Sequence, residues 1–446
     1  MTNNLNNISP IDGRYSKLTE ELKNYFSESA LIKYRVYIEV MYFIHLCDLN
    51  LPALKDIKKK DLKSIKEIAS KITNKDILQI KKIEATTNHD VKAVEYFLKR
   101  KFTELNVEKY QEYIHFGLTS QDINNTASPL LLKDALEKCF FPELQKLIKK
   151  LNELNKKWNH ISMLARTHGQ PASPTKLGKE INVFKVRLEV QLNLLLKISH
   201  SGKFGGATGN MNAHYVAFPK INWHVFAKNF LKNLGLKRSY PTTQIEHYDN
   251  LAAQFDAMKR INTILIDLSR DIWTYISMNY FNQKINKNEV GSSAMPHKIN
   301  PIDFENAEGN LGIANTLLYH LSTKLPISRL QRDLSDSTVM RNIGVPVGHS
   351  IIAYKAIHKG LNKLIVNPEK IEEDLNDNWS IVAEAIQTIL RREGVKNPYE
   401  KLKKLTRQNK KIQKREINIF IDSLNITERV KEELKKISPS NYTGKS

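Results

Sequence analysis

One segment gives the strongest evidence on the fold: residues 249–276, with the sequence DNLAAQFDAMKRINTILIDLSRDIWTYI. The stretch around it, residues 242–290, contains neither glycine nor proline. Its apolar residues recur mostly three or four positions apart, at Leu251, Phe255, Met258, Ile261, Ile264, Leu265, Leu268, Ile272, Tyr275 and Ile276. Such spacing places them on one face of a helix. We therefore predict one very long helix, or two helices with a slight break between them.

Two further stretches have the same helical character. Residues 179–201 lack helix breakers, and residues 129–158 are interrupted only by Pro142, where we expect a kink or a break. Helices of this length must lay their apolar faces against other long helices. The prediction is an all-α fold with three domains: an N-terminal helical domain (1–110), a central long-helix bundle shared between subunits (111–364) and a C-terminal helical domain (365–446).

Composition indicates a globular protein of a reducing compartment. The chain has 446 residues, of which 41% are hydrophobic, and only two cysteines, Cys47 and Cys139. Two distant cysteines form neither a disulfide framework nor a metal cluster. The polar amino terminus lacks a signal pattern, and no apolar run approaches the roughly 20 residues of a membrane span. We expect a cytoplasmic protein with no membrane attachment.

The formal net charge of +22 raises the question of a nucleic-acid partner. The lysines, however, are scattered among acidic residues, as in LKDIKKKDLKSIKEI, and are not interleaved with aromatic residues for base stacking. A basic RNA-binding helical protein would need a one-sided stripe of Lys and Arg, which the pattern lacks. We interpret the charge as solvated helix faces and expect no nucleic-acid partner.

A loop of unusual chemistry, GSSAMPHKINP at residues 291–301, follows the long helical segment. Its end predicts a helix start, with Asn300 as a possible N-cap, Pro301 at the first helical position, and Asp303 and Glu305 in the first turn. A helix N-terminus favours an anion, and Lys298 adds a positive charge just before it. The pattern leaves two interpretations open: a lid over a carboxylate, or an ordinary surface loop that caps a helix, which would explain the Gly, Asn and Pro residues but not the clustered Ser, His and Lys.

The same loop matches the signature Gly-Ser-Ser-x-Met-Pro-x-Lys-x-Asn-Pro of the fumarase and aspartase superfamily at every specified position. Other segments, in the same order along the chain, resemble the bacterial adenylosuccinate lyase family: SPIDGRY, TTNHDVKAVEYFL, TSQDINN, RTHGQPASP, YPTTQIEHYDN, NPIDFENAEGNLG and QRDLSDSTVMRN. The resemblance extends from about Ser9 to Tyr442, which is nearly the whole chain.

This resemblance implies an enzyme of purine nucleotide biosynthesis, a carbon–nitrogen lyase. It would release fumarate from adenylosuccinate by β-elimination to leave AMP, and from the succinylated carboxamide ribotide SAICAR to leave AICAR. The resemblance also implies the fumarase/aspartase-like fold and a homotetramer with shared active sites. No metal cluster or glycine-rich phosphate loop is evident, so we expect no cofactor and no metal.

The resemblance assigns the catalytic roles to two residues. Ser292 would act as an oxyanion that takes the proton beside the carboxylate, and Ser293 is the alternative. His168, in RTHGQPASP, would protonate the leaving nitrogen as general acid.

The resemblance also implies that the segments DGRY and QRDLSDSTVMR bind the phosphate of the nucleotide. Polar groups elsewhere in the chain would bind the succinyl carboxylates. His89 has a second interpretation, because Thr86 or Thr87 could cap a helix with His89 merely in its first turn. Asp333 and Asp336 could also form a locally salt-bridged helix start. The predicted substrate-binding residues are Arg14, Tyr15, Asn88, His89, Asp90, Thr119, Ser120, Gln244, Lys298, Asn300, Asn306, Arg332, Ser337, Thr338, Val339, Met340 and Arg341.

Two alternatives remain within the superfamily. Argininosuccinate lyase, fumarase and aspartase share the lid signature but act on substrates without a nucleotide phosphate, and the DGRY and STVMR segments argue against them. A catalytically inactive relative is expected to lose Ser292 or His168, and both are present.

Overall fold

The computed structural model describes residues 6–284, 295, 297–407 and 412–445. They form two compact units. The first unit contains residues 1–144, 191–263 and 309–355, and the second contains residues 145–190, 264–308 and 356–446. The three-domain division expected from the sequence stays a prediction.

Helices dominate both units. The helices of the described residues are α1 (Ser16–Thr19), α2 (Lys23–Phe26), α3 (Glu28–Cys47), α4 (Lys59–Ser70), α5 (Asn74–Thr87), α6 (Asp90–Glu104), α7 (Ser120–Ala135), α8 (Phe141–Trp158), α9 (Leu177–Lys197), α10 (Asn212–Ala217), α11 (Trp223–Asn233), α12 (Asp249–Ser277), α13 (Ile302–Lys324), α14 (Ser335–Met340), α15 (Gly344–Lys363), α16 (Pro368–Asn376), α17 (Ala383–Arg392), α18 (Pro398–Thr406), α19 (Lys414–Asp422) and α20 (Glu428–Lys435).

Short strands and tight helical turns connect these helices. The strands are β1 (Ser162–Thr167), β2 (Gln170–Lys176), β3 (Ser201–Gly202), β4 (Lys237–Arg238), β5 (Phe281–Gln283) and β6 (Leu364–Val366). β1 pairs with β2 and β5 with β6 in antiparallel fashion, and β3 pairs with β4 in parallel. Single 3₁₀ turns cover Glu20–Leu22, Glu108–Tyr113 and Trp379–Val382. Since each sheet has only two strands, the predicted all-α fold class is confirmed.

The longest predicted helix is confirmed as α12, which has 29 residues. The apolar face expected from the sequence is buried, including Phe255, Met258 and Leu265 at 0% exposure. The helix ends at Ser277 although neither glycine nor proline follows it. Asn279 adopts a left-handed backbone conformation with φ of 61°, which asparagine tolerates, and the chain then enters β5.

The predicted disturbance at Pro142 takes the form of a π-helical turn. Residues Leu136–Phe140 form this turn between α7 and α8, and the backbone N–H of Phe141 donates to the carbonyl of Leu136. A proline removes one N–H donor and crowds the preceding turn, and a widened turn accommodates both effects without ending the helical path. The helical path therefore runs from α7 into α8.

The core of the first unit is built around α3. Buried side chains of α3 pack with those of α5, α6, α7 and α11, as shown by the Phe43 and Phe102 rings, whose centroids lie 4.9 Å apart. Capping fixes where these helices begin: Ser27 accepts from the N–H of Ala30 at 3.1 Å, and Thr73 forms a capping box with Asp76. These caps fix the N-terminal ends of α3 and α5.

The second unit contains the β1–β2 hairpin and the helices α16 to α20. Its core includes Leu164 of the hairpin together with apolar residues of the C-terminal helices, such as Ile386 and Leu390. Arg166 of β1 forms an ion pair with Asp374 of α16 at 3.0 Å, and Tyr280 donates to the same carboxylate at 2.8 Å. These contacts hold the hairpin against α16.

In the part of the chain that the structure describes, no helix combines the length and apolar character needed to cross a lipid bilayer. Cys47 and Cys139 are buried free thiols. Burial raises the pKa of the Cys47 thiol to about 12, so this thiol is held in its unreactive protonated form.

Candidate active site

An open cleft of about 370 Å³ lies in the first unit, at the junction of α5 with α6 and beside the starts of α7 and α14. Most of its lining residues are among those predicted for substrate binding. Four lining residues were not predicted: Glu84, Gln121, Asn124 and Leu334. The lining residues are Glu84, Asn88, His89, Asp90, Ser120, Gln121, Asn124, Arg332, Leu334, Ser337, Thr338 and Arg341. The fold thus brings together segments that are far apart in the sequence.

Two of the missed residues had a signal in the sequence. Gln121 and Asn124 follow Ser120 in the TSQDINN segment, and residues three or four apart lie on the same face of a helix. Once Ser120 is placed at the start of α7, Asn124 must lie one turn further along the same face. No comparable local signal existed for Leu334.

The turn between α5 and α6 presents Asn88 and His89 to the cleft. Asn88 ends α5 in a left-handed conformation with φ of 50°. His89 is the N-cap of α6, because its Nδ1 accepts from the N–H of Lys92 at 3.1 Å. The expectation that Thr86 or Thr87 caps this helix is therefore wrong: both residues belong to the last turn of α5. The Nε2 atom of His89 lies 3.4 Å from the hydroxyl of Ser120, which joins the two segments.

Asp90 is held between two arginines. Its carboxylate accepts from Arg35 at 2.6 Å and from Arg341 at 3.3 Å. Burial by itself raises the pKa of Asp90, but the charges of Arg35 and Arg341 and the N–H of Val91 outweigh burial and lower the pKa below its usual value. Asp90 therefore stays ionised, and it orients the guanidinium of Arg341.

The start of α7 is fixed by a buried ion pair. Asp122 accepts from the N–H of Thr119 at 2.9 Å in a capping box and from Lys203 at 2.8 Å, and both charged side chains are fully buried. The N–H of Gly205 donates to the same carboxylate at 2.8 Å. A buried charge is tolerated only with such complete partnering. The network holds the first turn of α7, whose free N–H groups favour an anion.

The loop before α7 rests on a buried histidine. The hydroxyl of Tyr42 donates to the carbonyl of Phe116 at 2.6 Å, so it accepts from the Nε2–H of His214 at 2.9 Å. The Nδ1 atom of His214 has no hydrogen-bond partner among the described residues, and a Cβ at Gly117 would lie 2.9 Å from it. Burial lowers the pKa of His214 to about 4, so the imidazole is neutral at pH 7.

We expect acid to destabilise the protein through His214. Between the ordinary histidine pKa of about 6.5 and the folded value of about 4, the unfolded chain binds a proton that the folded chain does not. The free energy of unfolding should therefore fall as the pH drops through this window. The contribution of His214 to this fall is up to about 3 kcal/mol. Urea unfolding between pH 7 and pH 4.5 measures the effect.

In the His214→Asn variant the free energy of unfolding should depend less steeply on pH. The slope should be smaller by at most the contribution of one bound proton, which is about 1.4 kcal/mol per pH unit. The exposed His160 is the matched control, because solvent surrounds it in both states. An unchanged slope in His214→Asn would contradict the neutral buried imidazole.

Arg332 is the less exposed of the two arginines that line the cleft, at 22% against 45% for Arg341. Its guanidinium donates to Oε1 of Gln244 at 3.2 Å and to the hydroxyl of Ser337 at 3.1 Å. Its Nε is buried and has no hydrogen-bond partner among the described residues. An unpaired buried donor costs free energy, and a bound anion would remove that cost. Gln244 does not line the cleft itself but orients Arg332.

The two aspartates near α14 have separate roles. Asp333 accepts from the N–H groups of Arg329 and Ser335 at 3.0 and 2.8 Å, so it does form the local helix-start arrangement that was the alternative interpretation. The hydroxyl of Ser335 also donates to this carboxylate, and its hydrogen bond, followed by those of the two N–H groups, lowers the pKa of Asp333 well below the usual value. Asp336 accepts from Tyr248 at 2.8 Å and also forms a long ion pair with Arg332 at 3.9 Å, which agrees with the local pairing of the alternative interpretation.

The remaining predicted residues of the first unit lie outside the cleft lining. Arg14 and Tyr15 form the turn before α1, with the Arg14 guanidinium 6.0 Å from the ring centre of Tyr15. Val339 and Met340 belong to α14, and Met340 lines an adjoining cavity of about 90 Å³ that shares Asp90 and Arg341 with the cleft. Their binding roles stay predictions.

His168 occupies the tip of the β1–β2 hairpin in the second unit. His168 and Gly169 connect the paired residues Thr167 and Gln170, and both have positive φ, at 54° and 74°. This two-residue turn suits the twist of a hairpin and leaves His168 exposed.

The lid segment is only partly described. Gly291, Ser292 and Ser293 lie outside the described residues, whereas Lys298 is exposed and its N–H donates to the carbonyl of Met295 at 3.0 Å. α13 begins at Ile302, one residue later than predicted, and the carbonyl of Pro301 accepts from the N–H of Glu305 at 3.3 Å; the capping role of Asn300 stays a prediction.

The acidic first turn of α13 is confirmed, with Asp303 and Glu305 in it. Asn306 lies half-buried near the same end of this helix. As to metals, the described residues contain no group of three or more His, Cys, Asp or Glu side chains able to hold an ion. Independence from metals and cofactors stays a prediction.

Comparison with known proteins gives a consistent result. A family model described as Lyase matches residues 13–314, and one described as Adenylosuccinate lyase C-terminal matches residues 328–443. Adenylosuccinate lyase from Dictyostelium discoideum is 59% identical, over 99% of this chain and 97% of that protein. Adenylosuccinate lyase from Escherichia coli is 46% identical, over 98% of this chain and 96% of that protein.

Solved structures support the fold. A fumarate lyase from Mesorhizobium superposes with a TM-score of 0.74 at 19% identity, covering 95% of each chain. The 3-carboxy-cis,cis-muconate lactonizing enzyme from Pseudomonas putida superposes with a TM-score of 0.71 at 18% identity, covering 95% of this chain and 94% of that one. At such low identity these structures are evidence for the fold alone.

Proposed function

The chain belongs to the adenylosuccinate lyase family, and from this premise we propose that it releases fumarate from adenylosuccinate by β-elimination and leaves AMP. The same chemistry would convert SAICAR to AICAR, which places the enzyme in purine nucleotide biosynthesis. The observation that carries the proposal is the cleft of the first unit. There α5, α6, α7 and α14 supply polar and cationic residues of the family pattern, among them Ser120, Arg332 and Arg341.

The reaction requires stabilised negative charge. Removal of a proton beside a carboxylate builds a carbanion with a doubly charged carboxylate, which preorganised cations and N–H donors stabilise better than water does. Lys298, Asn300 and Asn306, near the N-terminus of α13, would serve the carboxylate of the succinyl group. Support comes from the exposed position of Lys298 and from the helix start at Ile302.

Proton transfer would use two residues. Ser292 would take the proton from carbon, which a serine can do only where a closed lid excludes water and cations surround its oxygen. His168 would donate a proton to the leaving nitrogen, and its exposure at a hairpin tip suits a group that must reach a substrate.

The phosphate of the nucleotide would bind at Arg332, Ser337 and Arg341. Guanidinium groups pair with phosphate oxygens in a bidentate manner, and the unpartnered Nε of Arg332 suits such a ligand. Further substrate contacts are proposed at the remaining predicted positions: Arg14, Tyr15, Asn88, His89, Asp90, Thr119, Ser120, Gln244, Thr338, Val339 and Met340.

We propose a homotetramer that draws each site from several subunits. α9 carries an exposed apolar stripe at helical spacing, with Val183, Val186, Val190 and Leu194 exposed at 41%, 46%, 50% and 44%. Stripes of this kind on a long helix are typical of surfaces that other copies cover. The cytoplasm is the proposed compartment, and the buried free thiols of Cys47 and Cys139 support it.

Incubation of the purified protein with adenylosuccinate should yield AMP and fumarate in equal amounts, without added metal or cofactor. Chromatography of the nucleotides and an enzymatic fumarate assay measure the products. SAICAR should yield AICAR and fumarate in the same way. Argininosuccinate is the comparison substrate, because it lacks the nucleotide phosphate. Its cleavage, with adenylosuccinate left intact, would overturn the assignment.

A further inference from the structure

A buried polar cluster lies directly behind the predicted phosphate site. It consists of Asn125 on α7, Tyr248 just before α12 and Asp336 on α14, which are 3%, 3% and 5% exposed. The hydroxyl of Tyr248 donates to Asp336 at 2.8 Å and accepts from the amide of Asn125 at 2.7 Å. One hydroxyl therefore ties three separate segments of the first unit together.

The cluster also fixes the backbone that carries Tyr248. The Oδ1 atom of Asn125 accepts from the N–H of Glu246 at 2.8 Å, and the N–H of Tyr248 donates to the carboxylate of Glu246. Tyr248 itself has a positive φ of 63°, a conformation that a bulky residue keeps only when its surroundings hold it. The segment from Gln244 to Tyr248 is thus held in one conformation.

This segment reaches the predicted phosphate site at two points. Gln244 accepts from the guanidinium of Arg332 at 3.2 Å, and Tyr248 holds Asp336. The other oxygen of Asp336 accepts from the N–H of Ser337 at 2.7 Å and lies 3.9 Å from Arg332. The orientation of both Arg332 and Ser337 therefore depends on where Asp336 is held.

We propose that Tyr248 is a positioning residue for phosphate recognition: through Asp336 it sets the geometry in which Arg332 and Ser337 meet the phosphate of the nucleotide. This inference rests on the proposed function. Tyr248 has no contact with the phosphate in this arrangement, because its hydroxyl is fully engaged by Asp336 and Asn125. Its influence should thus be confined to the phosphate end of the substrate.

The Tyr248→Phe variant tests this influence with the two reaction products as inhibitors. AMP carries the phosphate and fumarate does not. Loss of the hydroxyl should raise the inhibition constant of AMP and the KM of adenylosuccinate about tenfold, since hydrogen bonds to charged groups have effects of this size. The inhibition constant of fumarate and the kcat should change by less than about twofold.

Tyr354→Phe is the matched control. The hydroxyl of Tyr354 is also fully buried in the first unit and donates to an amide oxygen, that of Asn262, at 2.7 Å. Its removal should lower the melting temperature about as much as Tyr248→Phe does. The inhibition constants of AMP and fumarate should stay unchanged. A merely structural role for Tyr248 predicts the same behaviour in both variants.

If Tyr248→Phe does not fold, the Asp336→Asn variant tests the same connection between Tyr248 and the phosphate site. An amide has its oxygen on one side and an NH2 donor on the other, so it cannot accept from Tyr248 and Ser337 at the two positions that the carboxylate oxygens occupy, and the inhibition constant of AMP should again rise alone. An unchanged AMP constant in either folded variant, or an equal rise for fumarate, overturns the inference. If the unsubstituted protein does not cleave adenylosuccinate, the proposed function itself fails, which is a separate outcome.

Discussion

Substitution of Ser292 by alanine should lower the kcat for adenylosuccinate by roughly 10³- to 10⁴-fold, with little change in KM. The variant loses the oxygen proposed to take the proton from carbon and keeps the groups proposed to bind the phosphate and the carboxylates. The effect should therefore appear in turnover and not in substrate affinity. Steady-state kinetics, followed by the change in absorbance of the purine, would give both constants.

Ser293→Ala is the matched control, since it removes the same atom from the neighbouring position. We expect it to retain most of the activity. The reverse pattern, with Ser293→Ala inactive and Ser292→Ala active, would move the base to the second serine. Equal binding of AMP by both variants would show that each is folded around an intact nucleotide site.

Two inactive variants, His168→Ala and Ser292→Ala, should regain activity when they are unfolded together and refolded as a mixture. If His168 and Ser292 of one site come from different subunits, some mixed tetramers contain sites with neither substitution. Random mixing of equal amounts leaves about one quarter of the sites intact, so roughly a quarter of the unsubstituted activity is expected. Each variant refolded alone should stay inactive.

Subunit exchange must be verified independently of activity. Each variant can carry a different affinity tag, and recovery of both tags in one complex shows that mixed tetramers have formed. Mixed tetramers without activity would contradict sites shared between subunits in this way. An active monomer, identified by light scattering, would contradict the assembly altogether.

The long helices were predictable because their signal is local. In α12 the apolar residues from Leu251 to Ile272 repeat at helical spacing without a breaker, and the burial of Phe255 and Met258 agrees with that spacing. The ends were less predictable, because the conformation of one residue sets them. Asn279 ends the long helical run, and α13 begins at Ile302 and not at Pro301.

The hairpin shows where local patterns misled the prediction. RTHGQPASP contains His-Gly at its turn, a pair that allows two successive positive φ values, yet no strands were predicted on either side of it. The strand pairing of β1 with β2 depends on partners several residues apart, from Thr167 with Gln170 to Ser162 with Lys176. Such pairing is not visible in helical periodicity.

The amino-acid sequence alone determined the fold class, the family and the chemical types of the site residues, because helical periodicity and short motifs are properties of neighbouring residues. The tertiary structure alone determined which of those residues meet. Arg35 and Asp90 are 55 positions apart and form an ion pair, and Tyr248 reaches Asp336 across 88 positions. Those contacts orient Arg341, Arg332 and Ser337, and they exist because burial of the apolar helix faces packs distant segments together and obliges their polar groups to find partners out of water.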